Sequence, residues 1–481
     1  MKPIKGWAAA AAAALGAATL AGCTVAGAST AGGSTQVVIG YQSETINTVT
    51  AGTLLRSLGY FQRDLAALGR KTGKKYTVNW QNYSTGAPIT AQMLAGNIDI
   101  GSMGDYPMLI NGSRSQSLTD DRTEMVSVTG YNLRGALNGI VVARNSKVQT
   151  LQQLSGQPVS TSVGSAGDGT LVQALTRAGV NPASGVKVEN QDPSVGASAL
   201  QAGSVAALAQ FVDWPGLLVY KGQARLLYDG GELNVPTLHG VVVRDGFAQQ
   251  NPAVVRAFLQ AQQQATSYLH QHPVAAAELV SKATGIPPEV VYLYNGAGGV
   301  ATFSMAVNPQ LRAALGHDIP FLKSIGVLSS TSLDLNKFIN PSYLRQVLGA
   351  SQYRAEAAST VNPAAITGTD TACHLRVTNP ATAGEVWLAG QNYTHPAASP
   401  SCLLRNIKAD QAAGHKVQAA YIPDALTGTR WFASQDVWVR NPAAPANNQF
   451  QPFATQASAD KYLTAHPGSR VLSYAAAVAA S

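Results

Sequence analysis

Alternating runs of apolar and polar positions divide the first part of the chain into short strands and amphipathic helices. Residues 36–42 (QVVIGYQ) and 76–83 (YTVNWQNY) have the patterns of a buried strand and an alternating strand. Residues 51–68 carry apolar side chains at helical spacing, and residues 87–97 predict a second, shorter helix. Residues 98–104 (IDIGSMG) predict a strand that runs into a glycine turn. This alternation predicts an α/β architecture with a largely parallel sheet.

A second unit of the same kind begins near Asn138 and continues to about Gly230. Residues 138–144 (NGIVVAR) predict its first strand. Within it, SVGSAGDGTLVQAL at 162–175 places a Gly/Ser-rich turn directly before an amphipathic helix. Such a turn directs free backbone N–H groups and the positive end of a helix dipole at whatever lies in front of them. A strand at 239–246 (HGVVVRDG) is expected to return to the first unit.

The composition changes near residue 351. Residues 351–370 are rich in Ala, Ser, Thr and Pro without clear periodicity, which predicts an interdomain linker. The segment that follows contains alternating strand patterns and three of the six tryptophans, Trp387, Trp431 and Trp438. We therefore expect a separate small core in residues 371–481.

Length and charge limit the possible classes of protein. The chain has 481 residues, which predicts two or three domains, and 46% of them are hydrophobic, which is ample for real cores. The formal net charge is +8, but the densest basic cluster is GRKTGKK at 69–75, a pattern typical of a solvated turn. The sequence shows no basic face with interleaved aromatic residues, so no nucleic-acid partner is predicted.

The N-terminus has the pattern of an export signal. Two lysines precede an Ala-rich apolar stretch that is too short for a membrane span. The stretch ends in LAGC at 20–23, which resembles a bacterial lipobox and implies cleavage before Cys23 and lipid attachment to its sulfur. We expect a lipoprotein signal peptide at 1–22 and a flexible tether at 23–35. The protein would then lie on the extracytoplasmic face of the cell membrane, held there by its lipid anchor.

Two cysteines remain after Cys23. They are Cys373 and Cys402. An even number of cysteines outside the cytoplasm usually forms disulfides, so we expect these two to pair.

Six pieces of the first 345 residues occur in a characteristic order. They are IGYQS, LGYF, QMLAGNIDIGSMGDYP, LQQLSGQPVSTSVGSAGDGTLVQALTRAGV, ALQAGSVAALAQFVDWPGLLV and NPAVVRAFLQA. Together they resemble the solute-binding proteins of ABC importers for sulfonates, nitrate and taurine. The resemblance implies a two-lobed type II periplasmic-binding-protein fold that closes on its ligand and is recognised by a membrane permease. The solute-binding domain would span 36–350, with lobe 1 at about 36–137 and 235–350 and lobe 2 at about 138–234.

The C-terminal segment carries a second resemblance. Its pieces are SPSCLLRNI (399–407), AAYIPDALTGTRWFASQDVWVRN (419–441) and PFATQASADKYLTAHPGSRVLSYAAAVA (452–479). They resemble the nitrous-oxide-reductase accessory (NosL-like) domain, a smaller α+β domain of a family associated with copper handling. Two methionines of that family's pattern are missing, near TACHLRV (371–377) and in NNQFQ (447–451). Because Cu(I) prefers soft thiolate and thioether ligands, only Cys373, His374 and Cys402 remain, and we favour a structural disulfide over a metal site.

Ligands of doubly wound sheets bind at the C-terminal ends of the strands, and this rule selects the candidate site. The candidate ligand-binding residues are Gln42, Ser43, Ser84, Thr85, Gly86, Asp105, Tyr106, Ser165, Gly167, Asp168, Gly169, Asp213 and Trp214. Hydroxyls and free N–H groups at two helix N-termini, one from each lobe, predict capture of an oxyanion such as a sulfonate without Lys or Arg. The candidates for contact with an apolar tail are Tyr41, Tyr83, Tyr106 and Trp214.

Acidic residues in these turns leave the charge of the ligand open. We interpret Asp168 as an N-cap that accepts a hydrogen bond from the N–H of Thr170 or Leu171. Asp105 and Asp213 are each followed two residues later by a proline, and we expect them to orient backbone in their turns. In the alternative interpretation, one of the three faces the ammonium group of a zwitterion such as taurine.

The predicted function is that of a lipid-anchored substrate-binding protein of an ABC importer, without a cofactor and without enzymatic activity. One alternative is a binder or enzyme for a thiamine-pyrimidine-type ligand, and another is a copper chaperone that acts through the C-terminal domain. Nucleophilic catalysis is disfavoured because no cysteine lies within the two lobes and no G-x-S-x-G occurs. His239 and His270 have no paired acidic motif, so we expect ordinary surface or loop histidines.

Overall fold

The computed structural model describes residues 34–118, 122–329 and 332–481. The predicted signal peptide, Cys23 and most of the predicted tether lie outside these residues. The first strand, β1 (Ser34–Tyr41), includes the last two residues of that tether, because Ser34 already pairs with Lys75 of the neighbouring strand. Within the described part of the chain, no helix has the length and apolarity that a membrane crossing requires.

The first segment alternates strands and helices up to Asn132. Its strands are β1, β2 (Lys75–Asn82), β3 (Ile100–Gly104) and β4 (Thr123–Asn132). Its helices are α1 (Thr53–Leu58), α2 (Tyr60–Thr72), α3 (Gly86–Leu94) and α4 (Asp105–Ser115), with a 3-10 helix at Ile46–Ala51.

The second segment repeats the alternation. Its strands are β5 (Asn138–Ala143), β6 (Pro158–Thr161), β7 (Lys187–Asn190), β8 (Ala207–Phe211) and β9 (Ala224–Asp229). Its helices are α5 (Ala166–Arg177), α6 (Pro193–Gln201) and α7 (Trp214–Tyr220).

The chain then returns to the first sheet and continues mainly as helices. The two strands are β10 (Thr237–Arg244) and β11 (Thr302–Phe303). The helices are α8 (Asp245–Gln250), α9 (Pro252–Gln271), α10 (Pro273–Thr284), α11 (Pro288–Asn295), α12 (Pro309–Ser324), α13 (Leu335–Phe338) and α14 (Ser342–Ala358).

The C-terminal region is built from short strands and three helices. The strands are β12 (Gly384–Leu388), β13 (Thr394–Ala397), β14 (Val417–Pro423), β15 (Arg430–Phe432), β16 (Val437–Arg440), β17 (Phe450–Phe453) and β18 (Arg470–Leu472). The helices are α15 (Pro400–Ala412), α16 (Gln456–Ala465) and α17 (Tyr474–Ala480).

Two mixed sheets form the two lobes of a type II periplasmic-binding-protein fold. Lobe 1 has the strand order β11-β4-β10-β3-β1-β2, and lobe 2 has the order β7-β6-β8-β5-β9. The parallel pairs β1–β2, β1–β3, β6–β7 and β6–β8 lie on one side of each sheet. Strands next to the two crossings between the lobes, at 132–138 and 229–237, pair antiparallel. The sheets are therefore less parallel than the sequence pattern predicts, because the crossing strands enter from the opposite direction.

The predicted linker at 351–370 begins inside a helix. α14 continues to Ala358, and its Tyr353 is buried against the same apolar cluster of lobe 1 as Leu344 and Leu348. The segment was expected to be irregular because it lacks periodicity. Burial of Tyr353 and the hydrogen bonds that Ser304 and Met305 donate to Glu356 hold the last turns of α14 on the lobe instead.

The tryptophans of the C-terminal region do not share one separate core, in contrast to the expectation. Trp438 packs inside the C-terminal region, whereas Trp387 and Trp431 belong to an apolar cluster that also contains residues of both lobes. Cys373 and Cys402 form a disulfide with a Cα–Cα distance of 5.8 Å. Neither sulfur is a thiolate in this state, which removes the two soft ligands that Cu(I) binding would use.

Candidate functional site

Three turns of lobe 1 lie side by side at the C-terminal edge of its sheet, because β1 is parallel to both β2 and β3. The backbone N–H of Ser43 donates to Oδ1 of Asn82 over 2.8 Å, and Nδ2 of Asn82 donates to Oγ of Ser43 over 2.9 Å. A Cβ atom at Gly86 would lie 2.6 Å from the Pro107 ring. The start of α3 is therefore packed against the first turn of α4.

The N-terminus of α3 is uncapped. Thr85 occupies the N-cap position in an extended conformation, but its side chain accepts no hydrogen bond from the helix. The first-turn N–H groups of Gly86 and Ala87 have no acceptor within a helix, and Pro88 has no N–H. Ser84 is exposed beside them. This terminus offers N–H groups and hydroxyls to an anion.

The N-terminus of α5 in lobe 2 is capped by its own side chains. Oγ of Ser165 accepts a hydrogen bond from the N–H of Asp168 over 3.3 Å, and Oδ2 of Asp168 accepts one from the N–H of Gly164 over 2.9 Å. Ser165 is therefore the N-cap, and the prediction that Asp168 has this role is wrong. Asp168 stands at the third helical position and reaches back to the N–H of Gly164, one residue before the N-cap.

Tyr106 at the start of α4 joins the two lobes. A Cβ atom at Gly169 of α5 would lie 2.2 Å from Cε2 and 2.4 Å from Oη of Tyr106. The helix approaches the ring this closely only because residue 169 is glycine. Nε2 of Gln173, one turn further along α5, donates to Oη of Tyr106 over 3.4 Å. This contact brings the Ser165–Gly169 turn next to the starts of α3 and α4, and Tyr106 is 4% exposed as a result.

Asp213 is a buried carboxyl group at the end of β8, beside the start of α5. A Cβ atom at Gly167 would lie 2.8 Å from Cα of Gln210, so the two chain segments are in contact. Asp213 is fully buried, and neither of its carboxylate oxygens has a hydrogen-bond partner among the described residues. Burial raises the pKa of Asp213 to about 8, and the charge of Glu44 from lobe 1 adds to the effect. Asp213 therefore does not orient its turn through side-chain hydrogen bonds, as was expected.

The neighbouring Trp214 is half-buried. Its side chain packs against the apolar cluster that contains Val212 and Leu217. Its expected contact with an apolar ligand tail stays a prediction.

A pair of acidic groups lies behind Tyr106. The carboxylate of Asp105 accepts hydrogen bonds from the N–H of Tyr106 over 2.9 Å and of Leu238 over 3.0 Å, so Asp105 does hold backbone in its turn. Burial raises the pKa of Asp105 to about 6. Burial and the nearby charge of Asp105 together raise the pKa of Asp318 on α12. The interface between the lobes thus contains several buried acidic groups whose pKa values are raised by burial.

A cavity of about 590 Å³ lies between the lobes, next to Gln173, Asp318 and Phe321, which surround Tyr106. Its wall is formed by the two crossings, α5 and α12. The lining residues are Leu133, Arg134, Gln173, Asn234, Val235, Pro236, Gln310, Ala313, Ala314, His317, Asp318 and Phe321. The rings of Phe321 and Tyr106 lie 6.0 Å apart. The cavity therefore offers largely apolar space next to the residue that joins the lobes.

Three predicted side chains have partners within lobe 1. Nε2 of Gln42 donates to the carbonyl of Ser102 over 3.3 Å, and Gln42 is 3% exposed. The ring of Tyr41 packs edge-on against Trp80 at 5.6 Å, within the lobe rather than towards a ligand. The hydroxyl of Tyr83 donates to Oε1 of Gln81 over 2.7 Å.

His239 is not a surface residue, contrary to the expectation. It is 5% exposed on β10, directly opposite Gly104 of β3, and its Nδ1 lies 2.6 Å from Nδ2 of Asn47. Burial lowers the pKa of His239 to about 3, so the ring is neutral. Because β10 runs antiparallel to β3, its start lies at the same sheet edge as the ends of β1 and β3, and this geometry could have identified His239. His270 is half-buried on α9.

Comparisons with known proteins agree with this architecture. Residues 93–276 match the family model described as NMT1/THI5 like. The chain is 25% identical over 256 residues to a candidate aliphatic sulfonates-binding protein of Escherichia coli (strain K12), covering 53% of this chain and 74% of that protein. It is 25% identical over 225 residues to the taurine-binding periplasmic protein of the same organism, covering 46% of this chain and 65% of that protein.

A solved structure shows the same fold. The alkanesulfonate-binding protein SsuA from Xanthomonas axonopodis pv. citri, bound to MOPS, superposes with a TM-score of 0.52 at 21% sequence identity. The match covers 63% of this chain and 98% of that protein. The two-lobed part of the chain accordingly has the fold of periplasmic binding proteins.

Substitution of Gly169 tests the contact between the lobes. In Gly169→Ala the new methyl group overlaps the Tyr106 ring, so we expect the free energy of unfolding to fall by about 1 to 3 kcal/mol. Gly316→Ala on α12 is the matched control, since a Cβ atom there has no neighbour closer than 3.9 Å. The control should keep or gain stability, because alanine is the better helix former. Equal stability of the two variants in urea titrations would contradict the contact.

Proposed function

We propose that the protein is an extracytoplasmic solute-binding protein of an ABC importer that captures a small oxyanion-bearing solute between its two lobes. The observation that carries the proposal is the packing of Tyr106 on Gly169, which gathers the turns of lobe 1 against the start of α5. The similarity to proteins named for aliphatic sulfonates and taurine supports a sulfonate as the solute class.

The two helix N-termini are not equivalent, and this difference supports one position for the oxyanion over the other. α5 already has a cap from Ser165 and a carboxylate from Asp168, which would repel a second negative charge. α3 has neither, and its free N–H groups lie beside the hydroxyls of Ser84 and Thr85. We therefore infer that the oxyanion binds at the start of α3, while the rest of the ligand extends towards lobe 2.

Asp213 is the group in lobe 2 that can recognise the other end of such a ligand. Its carboxyl is buried without a hydrogen-bond partner among the described residues, an arrangement that is costly unless a bound group completes it. A neutral ligand end could accept a hydrogen bond from the protonated carboxyl group, whereas an ammonium group would favour the ionised carboxylate. The acidic surroundings favour the ammonium group, hence a zwitterionic sulfonate.

The remaining predictions concern the ends of the chain. We propose that Cys23 carries the lipid anchor and that the C-terminal region has a NosL-like fold with a structural disulfide. Neither proposal is needed for ligand capture by the two lobes.

Removal of the hydroxyls at α3 tests the position of the oxyanion. We expect Ser84→Ala combined with Thr85→Val to weaken binding of ethanesulfonate or taurine by about 1 to 2 kcal/mol, or about five- to thirtyfold in Kd. Ser165→Ala should weaken it less, because that hydroxyl is engaged in capping. Ser184→Ala, an exposed serine of lobe 2, is the control. Calorimetry in which the α3 variant binds both sulfonates as the wild type does would refute this placement.

The pH dependence of binding tests the role of Asp213. Its carboxyl must lose a proton to pair with an ammonium group, and its pKa is about 8, so the affinity for taurine should rise between pH 6 and pH 8. At pH values well below this pKa, the affinity for taurine should rise about tenfold per pH unit. Ethanesulfonate has no amine and should show no such rise. Asp213→Asn should flatten the taurine profile, while the exposed Asp192→Asn should not. Parallel profiles for the two ligands in the wild type would exclude the pairing.

A further inference from the structure

One apolar cluster extends through both lobes and the C-terminal region. It contains Ile46 and Leu54 from lobe 1 and Leu217 from lobe 2, all buried. The same cluster includes Tyr421 and Phe432 from the C-terminal region. Because a continuous packed core resists changes of shape, the three parts are not free to move independently.

α11 is the element of lobe 1 on which the C-terminal region rests. Nδ2 of Asn295 at its end donates to the carbonyl of Ile46 over 2.8 Å, which fixes α11 to the 3-10 helix of lobe 1. On its other side, the hydroxyl of Tyr421 donates to the carbonyl of Glu289 over 2.9 Å, and Nε2 of Gln418 donates to the Glu289 carboxylate over 2.8 Å.

A buried ion pair reinforces this attachment. Nη2 of Arg430 and Oε2 of Glu385 are 2.5 Å apart, and the two side chains are 3% and 5% exposed. Nη1 of Arg430 donates to the carbonyl of Ala297, two residues after the end of α11, and its guanidinium lies 4.8 Å from the Tyr421 ring centre. The hydroxyl of Tyr292 on α11 donates to Glu385 over 3.1 Å. Loss of either charged partner would leave the other buried and unpaired.

The C-terminal region also contacts lobe 2, through both buried and exposed side chains. A Cβ atom at Gly231 would lie 2.6 Å from Oγ1 of Thr429, and Asp229 is buried beside the same threonine. The rings of Phe432 and Tyr220, at the end of α7, lie 5.4 Å apart. Nζ of Lys461 lies 2.9 Å from the Glu232 carboxylate, and Nη1 of Arg144 donates to Gln435 over 3.4 Å.

We propose that the C-terminal region is a clamp that bridges the two lobes and restricts the angle between them. It is attached to α11 of lobe 1 through a buried, hydrogen-bonded ion pair, and to α7 and the second crossing of lobe 2 through buried and exposed side chains. Opening of the lobes would pull Tyr220 from Phe432 and break the Lys461–Glu232 pair. α7 begins directly after Asp213, so the clamp also acts on the turn that carries this carboxyl.

The clamp can be tested without any ligand, so the result does not depend on the proposed function. Fluorophores are attached through unnatural amino acids at the exposed positions Lys71 of lobe 1 and Glu189 of lobe 2, which leaves the disulfide intact. Single-molecule energy transfer in the full chain should show one narrow distribution for the wild type.

The first variant removes three side chains at the contact with lobe 2. Tyr220 also interacts with Glu289 on α11, so the double variant described below, which keeps Tyr220, is measured beside it. Tyr220→Ala, Arg144→Ala and Lys461→Ala together should increase the population outside the main distribution about fivefold, as expected for loss of an aromatic contact. The double variant Arg144→Ala, Lys461→Ala changes exposed side chains only, and it should increase the same population by a smaller factor. If the triple variant does not fold, the comparison of this double variant with the control tests the clamp.

The matched control carries the same residue types on the surface of lobe 1. It combines Tyr60→Ala, Lys282→Ala and Arg354→Ala, and it should match the wild type. A wild type that samples widely separated distances without ligand would overturn the clamp. So would folded clamp variants whose distribution is the same as that of the control.

Discussion

The arrangement of the cleft depends on the fit of one aromatic ring into the space over a glycine. Tyr106 fills the position that a side chain at residue 169 would occupy, and this lets α5 of lobe 2 lie against α4 of lobe 1. The turns after β1, β2 and β3 are already adjacent because their strands are parallel neighbours. The contact of this ring with Gly169 therefore holds the turns of lobe 1 opposite the start of α5 in lobe 2, so that the site has residues from both lobes.

Electrostatics then distinguishes the two sides of that site. The described part of the interface pairs an uncapped helix terminus in lobe 1 with a self-capped terminus and a buried carboxyl in lobe 2. An anion is favoured by N–H groups that have no other acceptor, and disfavoured where a carboxylate already occupies the helix end. The neutral state of His239 and the raised pKa of Asp213 show that burial, rather than basic side chains, sets the charge of this region.

The sequence pattern predicted the parts of the site that lie on strand ends. Alternating strands and helices identify the edge where ligands bind, and this brought Ser43, Gly86 and Tyr106 into the candidate set. The pattern could not show which side chains a turn uses for itself, so the N-cap was assigned to Asp168 although Ser165 has that role. Asp318 was not predicted, because it comes from a helix that follows the sheets and reaches the cleft only through tertiary packing. Trp387 and Trp431 were assigned to a separate core for the same reason: composition does not reveal which neighbour an apolar side chain will contact.

A crystal structure of the protein with a bound zwitterionic sulfonate is the most direct test of the central claim. The account predicts the sulfonate oxygens within hydrogen-bonding distance of residues 84–87 and the amine directed towards Asp213, with both lobes in contact with the ligand. A sulfonate held at the start of α5, or a ligand bound to one lobe on an outer surface, would contradict it.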